Sequence, residues 1–422
     1  MFSNHTNLII VGFANLMKGA GMDRDDIGNI YDTSAERIRE TDCSFHRFLC
    51  GEIDWSVRVL ALSGPRGVGK TTMFLQHLKE NPGEAEKSLY VSMDSIWLDA
   101  RDVYDLVRHH VQHGGESVYL DEIHYLADWQ KLVKNLYDNF KGLRVAYTGS
   151  SILRIAAGSG DLSRRQVEYS LPGMSFREYL ALEGVADFQP IPLERILADH
   201  VAMAYEVTSK IRVLPHFEQY LKDGYYPFYR EERSHFASKL RQVVNQVLDV
   251  DLPKVEDITP ETVQKARRML TILSASTPQT PNVADLCRDL GMDRKQGIKV
   301  LYAMRRAGLV GLLAEDADAL KRLGAPNKIF CDNTNLMDIL APRPDVGTIR
   351  EVFFNNQVGV RHETTFPRRG DSLVDGRYLF EIGGPRKSFE QIKDVSDSYV
   401  AADGIEVGRG NKIPLWLFGF LY

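Results

Sequence analysis

The sequence predicts an α/β fold in which a parallel sheet is covered by helices, and three observations support it. An apolar run of strand length, Val59–Leu62, precedes a glycine-rich loop and an amphipathic helical pattern that begins at Met73. Further strand-like runs, SLYVSM at 88–93 and RVAYTGSS at 144–151, alternate with helical patterns. A third apolar run, Val118–Leu120, ends in two adjacent acids. Such alternation is typical of a parallel sheet with helices on its faces.

The glycine-rich loop has the spacing of a phosphate-binding loop, Gly64-x-x-x-x-Gly69-Lys70-Thr71. Glycines let the backbone approach a phosphate, and the N-terminus of the following helix favours an anion. Lys70 would reach the β- and γ-phosphates, and the Thr71 hydroxyl would ligate Mg²⁺. A glycine-rich turn could match this spacing by chance, but the strand before it and the helix after it favour nucleotide binding. The predicted nucleotide-binding residues are Gly64, Pro65, Arg66, Gly67, Val68, Gly69, Lys70, Thr71, Thr72 and Ser150.

The acids Asp121 and Glu122 end a predicted strand at the sheet edge where parallel sheets bind ligands. Asp121 would hold the Mg²⁺ shell, and Glu122 would orient and deprotonate the attacking water. Surface strands often end in acids, so the pair by itself is weak evidence. It indicates a catalytic site because a phosphate-binding loop precedes it in the sequence. At the end of the 144–151 run, Thr148 and Ser150 are candidates to sense the γ-phosphate. The alternative is that Ser150 or Ser151 caps a helix.

Composition limits the remaining classes of function. A chain of 422 residues is expected to form two to four domains. A net charge of −5 gives no global signal for nucleic acid, so a nucleic-acid surface would have to be local. The four cysteines show neither C-x-x-C pairing nor metal-ligand spacing, and we expect buried, reduced thiols in a cytoplasmic protein. The apolar run Leu8–Leu16 is too short to span a bilayer, so no membrane partner is expected.

Residues 262–330 predict a winged helix-turn-helix. Two helical patterns, Val283–Leu290 and Arg294–Arg306, flank a short turn and precede two apolar runs of strand length. The segment holds twelve Lys and Arg against six Asp and Glu, a net charge of about +6. Arg294, Lys295 and Lys299 lie on the presumed recognition helix, where they would contact DNA phosphates. The alternative is a structural or protein-docking module.

Four stretches together resemble a known family: GPRGVGKTT, YLDEIHYLADW, YTGSS and LSRRQVEYSLPGMSFREYL. They look like the AAA-type P-loop ATPases of bacteria and archaea that continue into a winged helix and an endonuclease-like domain. The resemblance implies ATP and Mg²⁺ as cofactors. It also implies an arginine finger at Arg165, with Arg164 where the family usually has Gly. The alternative for Arg165 is a solvated surface side chain.

The C-terminal stretch RGDSLVDGRYLFEIGGPRK resembles the restriction-endonuclease-like fold. The resemblance assigns Asp371 and Glu381 to its two carboxylates and Glu351 to its helical acid. The position of the catalytic lysine holds Gly383, and whether Lys387 can reach the acids is open. Without that cation the activation of water is compromised, so we expect an inactive domain. The apolar terminus IPLWLFGFLY predicts a buried strand.

These observations predict an ATPase in which hydrolysis rearranges the domains. The alternatives are an ATP-dependent nuclease and a nucleotide-gated DNA- or protein-binding switch with negligible turnover. Double-stranded DNA, a protein partner and further copies of the chain remain candidate partners. The predicted domains are a lead-in at 1–57 with a helix over Ser34–Leu49, an ATPase core at 58–175, a helical lid at 176–255, a winged helix at 256–344 and an endonuclease-like domain at 345–422.

Overall fold

The structure is a computed structural model, and it describes residues 24–94, 98–150, 162, 164–254, 258–275, 283–315 and 324–422. The chain forms two compact units. The first holds the described residues up to Gly64 together with Gly69–Leu171, and the second holds Pro65–Val68 and Pro172–Tyr422. No helix within the described ranges is both long and apolar enough to cross a membrane.

The first unit is built on a five-stranded parallel sheet in the order β2-β3-β4-β1-β5. Its first four strands are buried almost throughout, which explains their continuous apolar runs. The strands are β1 Val59–Gly64, β2 Ser88–Ser92, β3 Ser117–Asp121, β4 Arg144–Ser150 and β5 Val167–Ser170. The predicted parallel α/β core is therefore confirmed.

The helices of this unit pack on the sheet and on one another. They are α1 Arg24–Glu40, α2 Lys70–Glu80, α3 Pro82–Ala85, α4 Ala100–Gln112 and α5 Trp129–Asn139. Apolar residues on α4 and α5, such as Val103 and Leu136, join the core beneath the sheet. Asp128 lies directly before α5, where an aspartate often caps a helix, but it does not cap this one. It adopts a left-handed φ of 57° and makes no capping hydrogen bond through its side chain.

The predicted helix over Ser34–Leu49 is wrong. Helix α1 instead ends at Glu40, and residues 41–47 form a loop before a short 3-10 helix at Phe48–Gly51. Tertiary contacts fix α1, because Ser34 Oγ accepts a hydrogen bond from the backbone N–H of Tyr90 at 3.0 Å. The helix thereby covers edge strand β2, and this long-range pairing cannot be read from local periodicity.

The N-terminal part of the second unit is helical. Its helices before the next strands are α6 Phe176–Leu182, α7 Leu193–Thr208, α8 Val213–Asp223, α9 Phe236–Gln246, α10 Pro260–Ala275, α11 Val283–Asp289 and α12 Arg294–Arg306. A π-helical turn, Val247–Asp251, follows α9. The aromatic residues around Gly224 and Pro227 are mainly core, since Tyr220, Tyr225 and Tyr229 are buried.

Helices α11 and α12 are followed by an antiparallel pair of strands, β6 Val310–Leu313 and β7 Lys328–Cys331. Both strands were predicted from their apolar runs. A Cβ at Gly297 of α12 would lie 2.1 Å from Cys287 Sγ, so glycine lets α11 and α12 pack closely. Whether this helix-turn-helix with two strands acts as a winged helix stays a prediction.

The rest of the second unit is a five-stranded sheet in the order β12-β11-β10-β9-β8, with two helices before it. These elements are α13 Thr334–Leu340, α14 Val346–Val358, β8 Thr364–Thr365, β9 Ser372–Val374, β10 Tyr378–Gly383, β11 Ser398–Ala402 and β12 Lys412–Pro414. Strands β9 and β10 form an antiparallel hairpin whose turn, Asp375 and Gly376, has φ values of 52° and 65°.

The C-terminal segment is buried as predicted, but most of it is not a strand. β12 ends at Pro414, and Leu415–Phe420 forms a 3-10 helix. The terminal residue is held within the second unit, where Tyr422 O accepts hydrogen bonds from Ser175 Oγ and Arg177 Nε, both at 2.8 Å. Residues 172–180, which belong to one of the four stretches that resemble the AAA-type family, therefore bind the last residue of the chain.

Candidate functional site

The phosphate-binding loop leaves the end of β1 and enters α2. Gly67 and Gly69 have φ values of 80° and 97°, which glycine adopts without steric cost. Lys70 is the first residue of α2, and its Nζ donates a hydrogen bond to Gly64 O at 3.0 Å. The lysine is therefore folded over the start of the loop, and Thr71 and Thr72 follow it in the first turn of α2.

The crest of this loop, Pro65–Val68, belongs to the second unit. Arg66 makes a bidentate ion pair there with Asp251, with Nε–Oδ2 at 2.7 Å and Nη2–Oδ1 at 2.9 Å. Asp251 is buried at the end of the π-helical turn. The guanidinium of Arg66 is thus neutralised by a carboxylate 185 residues further along the chain, a partner that no local pattern indicates.

Asp121 is the centre of a buried hydrogen-bond network in the first unit. Its Oδ2 accepts from Thr71 Oγ1 and from Tyr90 Oη, each at 2.8 Å, and its Oδ1 accepts from Thr148 Oγ1. These hydroxyls come from α2, β2 and β4, so one carboxylate joins three elements around β3. Burial, followed by the charge of Asp121, raises the pKa of Tyr90.

A hydroxyl and a carboxylate 2.8 Å apart form a set of hard oxygen donors beside the first turn of α2. Mg²⁺ prefers such donors and commonly binds one or two carboxylates with phosphates and water. Thr71 and Asp121 therefore fit the metal that the sequence predicts.

Glu122 follows β3 with a left-handed φ of 51°, a conformation that is uncommon outside glycine and costs free energy. Its backbone N–H donates to Thr148 Oγ1 at 2.9 Å. Its side-chain Oε2 lies 3.1 Å from Nδ1 of the buried His124. The turn therefore directs Glu122 off the strand and places an imidazole against its carboxylate.

Sequence reasoning missed His124 and Tyr90. The imidazole of His124 follows Glu122 by two residues in the DEIH stretch, and this adjacency was an available signal. Tyr90 carried no such signal, because its contact with Asp121 depends on the pairing of β2 with β3.

Strand β4 lies between β1 and β3, and its carboxyl end brings Ser150 to the loop. The register pairs Ser150 with Gly64 and Thr148 with Leu62. Both Thr148 and Ser150 are buried. Thr148 is committed to Asp121 and Glu122, so Ser150 is the better placed of the two to meet a phosphate. The alternative cap by Ser151 lies outside the described residues.

Arg165 lies near the amino end of β1, whereas the loop follows the carboxyl end of that strand. Its guanidinium is 5.7 Å from the ring centroid of Tyr137, and the guanidinium of Arg58 lies 3.9 Å from the same centroid. Arg58 directly precedes β1, whereas Gly64 ends that strand. Six strand residues span roughly 20 Å at about 3.3 Å per residue. Arg165 also pairs with Asp138 at 3.4 Å. Arg165 is therefore placed with Tyr137 and Asp138, and its role as an arginine finger stays a prediction.

The three acids of the endonuclease-like segment are brought together with two lysines in the second unit. Lys387 Nζ lies 2.5 Å from Glu381 Oε2 and 3.8 Å from Asp371 Oδ2. Glu351 is paired with Lys328. Burial raises the pKa of Glu351 despite the opposing charge of Lys328. For Lys387, burial opposes the charged form, but Glu381 and Asp371 raise its pKa overall.

Lys387 reaches the acids although Gly383 occupies the position of the catalytic lysine. A Cβ at Gly383 would lie 2.8 Å from Lys387 Cδ. The lysine side chain from four residues onward therefore fills the space beside position 383 and reaches both acids of the hairpin.

The basic charge of the predicted winged helix is partly neutralised. Ion pairs join Lys265 to Glu261, Arg267 to Asp249, Arg288 to Asp285 and Lys328 to Glu351. Arg294 and Lys295 are exposed at the start of α12, and Lys299 is half-buried. The charge of about +6 therefore overstates the field that this segment presents, and Lys321 and Arg322 lie outside the described residues.

Comparisons with known proteins agree with the P-loop geometry. Residues 56–180 match the family described as an AAA domain, and residues 214–340 match a domain of unknown function. An uncharacterized protein of Methanocaldococcus jannaschii is 31% identical over 404 residues, covering 86% of this chain and 84% of that protein. The chain belongs to the family of this archaeal protein. Residues 56–180 of this chain form an AAA-type P-loop domain.

Two further comparisons are weaker. An uncharacterized protein of Haemophilus influenzae is 28% identical over 152 residues, which cover 34% of this chain and 38% of that protein. The structure of AMPPCP-bound DnaA from Aquifex aeolicus aligns with 69% of this chain and 90% of its own, at 14% identity. Its TM-score of 0.25 is too low to carry an argument.

Replacing Lys70 by Ala is predicted to abolish tight binding of Mg-ATP, because the phosphates lose the ammonium that the loop positions. Arg66 should not compensate, since Asp251 holds its guanidinium. A ligand raises the melting temperature only through its affinity for the folded state, so the ATP-induced shift should disappear. Differential scanning fluorimetry measures it, with the exposed Lys131→Ala as control. An unchanged shift in Lys70→Ala would show that the lysine does not bind phosphate.

Proposed function

We propose that this protein binds Mg-ATP in its first unit, hydrolyses it, and uses turnover to rearrange its lid and C-terminal domains. The observation that carries the proposal is the contact of Thr71 Oγ1 with Asp121 Oδ2 at 2.8 Å, next to Lys70 and Glu122. In phosphoryl transfer the protein contributes mainly positioning and electrostatic stabilisation, and this arrangement supplies both.

Binding would use groups that already surround the loop. Lys70 would exchange its bond to Gly64 O for the β- and γ-phosphates, and the backbone N–H groups of the loop would hold the phosphate chain. Thr71 and Asp121 would hold Mg²⁺, which when bound neutralises charge on the phosphates. Tyr90 and Thr148 would keep the Asp121 carboxylate oriented.

Hydrolysis needs a base beside the phosphates, and Glu122 has the required chemistry. Its carboxylate would take a proton from water while the water oxygen bonds to the γ-phosphorus and the bond to ADP breaks. His124 Nδ1, 3.1 Å from Glu122 Oε2, would hold the carboxylate in place. Ser150, adjacent to Gly64 across the sheet, would sense the γ-phosphate.

Coupling to the second unit follows from the path of the chain. The loop passes from the first unit into the second at Pro65 and returns at Gly69. We infer that a nucleotide which changes the backbone of this loop is coupled to the second unit through the chain itself. The domains at 176–255 and 256–344 are proposed as the lid and the winged helix. Duplex DNA is the proposed partner of Arg294, Lys295 and Lys299 through phosphate contacts.

Replacing Glu122 by Gln keeps the size of the side chain but removes the base. We expect ATP binding to persist while turnover falls about 10²–10⁴-fold, the usual range for a positioned acid–base group. Phosphate release and the ATP-induced melting shift measure the two quantities. Glu116→Gln is the matched control, because Glu116 is an exposed acid just before the amino end of the same strand.

Wild-type turnover in Glu122→Gln would show that another residue is the base. A wild-type protein that binds ATP without releasing phosphate would instead support the nucleotide-gated switch. The assay is run with and without duplex DNA, and turnover that ignores DNA would remove DNA from the proposal.

Arg165 is proposed to act as an arginine finger in trans, on the site of a second copy. Its guanidinium shares the Tyr137 ring with Arg58 at the amino end of β1, and Gly64 lies about 20 Å of strand length away at the carboxyl end, which favours the site of a neighbouring copy. Such a finger stabilises charge in the transition state. Its loss should therefore lower turnover far more than nucleotide affinity.

Mixing two inactive variants tests this proposal. Arg165→Ala retains an intact loop, and Lys70→Ala retains the finger, so hetero-oligomers of the two should recover activity. Arg164→Ala is the matched control, because Arg164 is the exposed neighbour. Equal turnover of Arg165→Ala and wild type would leave Arg165 as a surface residue that stacks on Tyr137.

Cleavage of DNA by the second unit is the other candidate function. The observation in its favour is Lys387, which fills the space beside Gly383 and reaches both Asp371 and Glu381. The opposing observation is that lysines neutralise Glu351 and Glu381, which weakens the attraction of the cluster for a metal. We therefore expect a supercoiled plasmid to remain intact with Mg²⁺ or Mn²⁺ and ATP.

Nicking that disappears in Glu381→Gln and in Lys387→Ala would overturn this expectation and establish the nuclease. Lys393→Ala is the control for the lysine, because Lys393 is exposed and pairs only locally with Glu390. Nicking that survives in all variants would point to a contaminating enzyme.

A further inference from the structure

Three side chains that are typical zinc ligands meet in the first unit, away from the phosphate-binding loop. Cys43 and His46 lie in the loop that follows α1, and Glu80 is the last residue of α2. One ligand atom from each residue lies within 4.8 Å of the others. The two loop residues have the spacing Cys-x-x-His, a short interval that brings two ligands to one ion.

Of the three side chains, the imidazole of His46 is the best placed to bind a metal ion. Its Nε2 is buried and makes no hydrogen bond, although Glu80 Oε1 lies 3.0 Å from it. Buried polar nitrogens normally have a hydrogen-bond partner. Two atoms that each bind zinc at about 2.0–2.1 Å in a tetrahedron lie roughly 3.3 Å apart. The spacing of Nε2 and Oε1 is therefore close to that of two ligands of one zinc ion.

Side chains of α2 fix the loop that carries Cys43 and His46. Gln76 Nε2 donates hydrogen bonds to Asp42 O and Phe45 O, both at 2.8 Å, on either side of Cys43. Lys79 Nζ donates to Thr41 O at 2.7 Å and to a second carbonyl, Arg39 O, at 2.8 Å. The buried Gln76 thus holds the loop against the same helix that ends in Glu80. Such support holds ligands in place before a metal arrives.

The position along α2 also favours a cation. The C-terminal end of a helix carries a partial negative charge, and the effect is confined to its last turn. Glu80 adds a negative charge at that end, and the neighbouring Lys79 is bonded to the carbonyls of Arg39 and Thr41. The positive N-terminal end of α2 therefore lies at the predicted phosphate site, and its negative C-terminal end lies at Glu80 and the 41–47 loop.

We propose that Cys43, His46 and Glu80 bind one zinc ion, with water as the fourth ligand. Sulfur, imidazole nitrogen and carboxylate oxygen are the ligand types that zinc takes, and soft thiolate disfavours Mg²⁺ and Ca²⁺. The ion would fasten the 41–47 loop to the far end of the helix whose first turn holds Lys70 and Thr71. The structure without a metal has an alternative account, in which His46 and Glu80 form a half-exposed ion pair.

Cobalt(II) substitution in the full-length protein tests the site. Chelator-treated protein is titrated with Co²⁺, because a thiolate ligand gives a sulfur-to-cobalt charge-transfer band and tetrahedral geometry intensifies the visible bands. The oxygen donors of Thr71 with Asp121 and of the C-terminal acids contain no sulfur and cannot produce that band. We expect one equivalent of Co²⁺ to give the band and one equivalent of Zn²⁺ to displace it.

Single variants then assign the ligands. Cys43→Ser should abolish the charge-transfer band, whereas the control Cys50→Ser, a half-buried cysteine seven residues onward, should retain it. His46→Ala and Glu80→Gln should weaken zinc binding at least as much as the roughly 10–100-fold that loss of a supporting residue costs. Competition with a chromophoric chelator measures these affinities, and His113→Ala, an exposed histidine, is the control.

Two results would overturn the proposal. One is wild-type protein that binds no stoichiometric Zn²⁺ and shows no sulfur band, which would leave the ion pair as the account of His46 and Glu80. The other is a band of full intensity in Cys43→Ser, which would place the thiolate elsewhere. Circular dichroism of each variant separates loss of the metal from loss of the fold, and Glu80→Gln provides a variant at the helix end that keeps side-chain volume.

Discussion

The first unit depends on one buried carboxylate. Asp121 accepts hydrogen bonds from Thr71, Tyr90 and Thr148, so α2, β2 and β4 are all fixed to the end of β3. A buried carboxylate is costly unless its oxygens are paired, and here three hydroxyls satisfy it. The same constraint places the first turn of α2, and with it the end of the phosphate-binding loop, relative to the sheet. The hydrogen bonds of Asp121 therefore both stabilise the first unit and hold the carboxylate of the proposed metal site in place.

The second unit shows how ion pairs change the meaning of charged residues. Arg66 lies in a phosphate-binding sequence, yet Asp251 holds its guanidinium. Lys387 and Lys328 neutralise two of the three acids that resemble a nuclease site. Several basic residues of the predicted winged helix are paired in the same way. In each case the residue type suggests a binding site. An ion pair within the protein then reduces the charge that a bound ligand would meet.

Much of the first unit could be predicted from the sequence, because its determinants are local. The continuous apolar runs of β1 to β4 and the glycine spacing at 64–71 identified the sheet and the loop directly. The helix over Ser34–Leu49 was wrong beyond Glu40, because backbone carbonyls at and after the helix end bond to Gln76 and Lys79 of α2 instead of continuing the helix. The terminal strand was wrong beyond Pro414 because apolar composition predicts burial and does not by itself distinguish a strand from a 3-10 helix.

The sequence by itself determined the AAA-type loop, the residues that flank it and the acids that follow β3, since spacing and apolar runs encode them. Only the tertiary structure decided which partners those residues meet. It placed His124 against Glu122, Arg165 near the amino end of β1, and Lys387 in the space beside Gly383. It also brought Cys43 and His46 to Glu80, and it showed Cys43 and Cys50 as half-buried where buried thiols were predicted. The physical reason is that strand order, register and side-chain ion pairs join residues far apart in the chain, and no local pattern records such pairings.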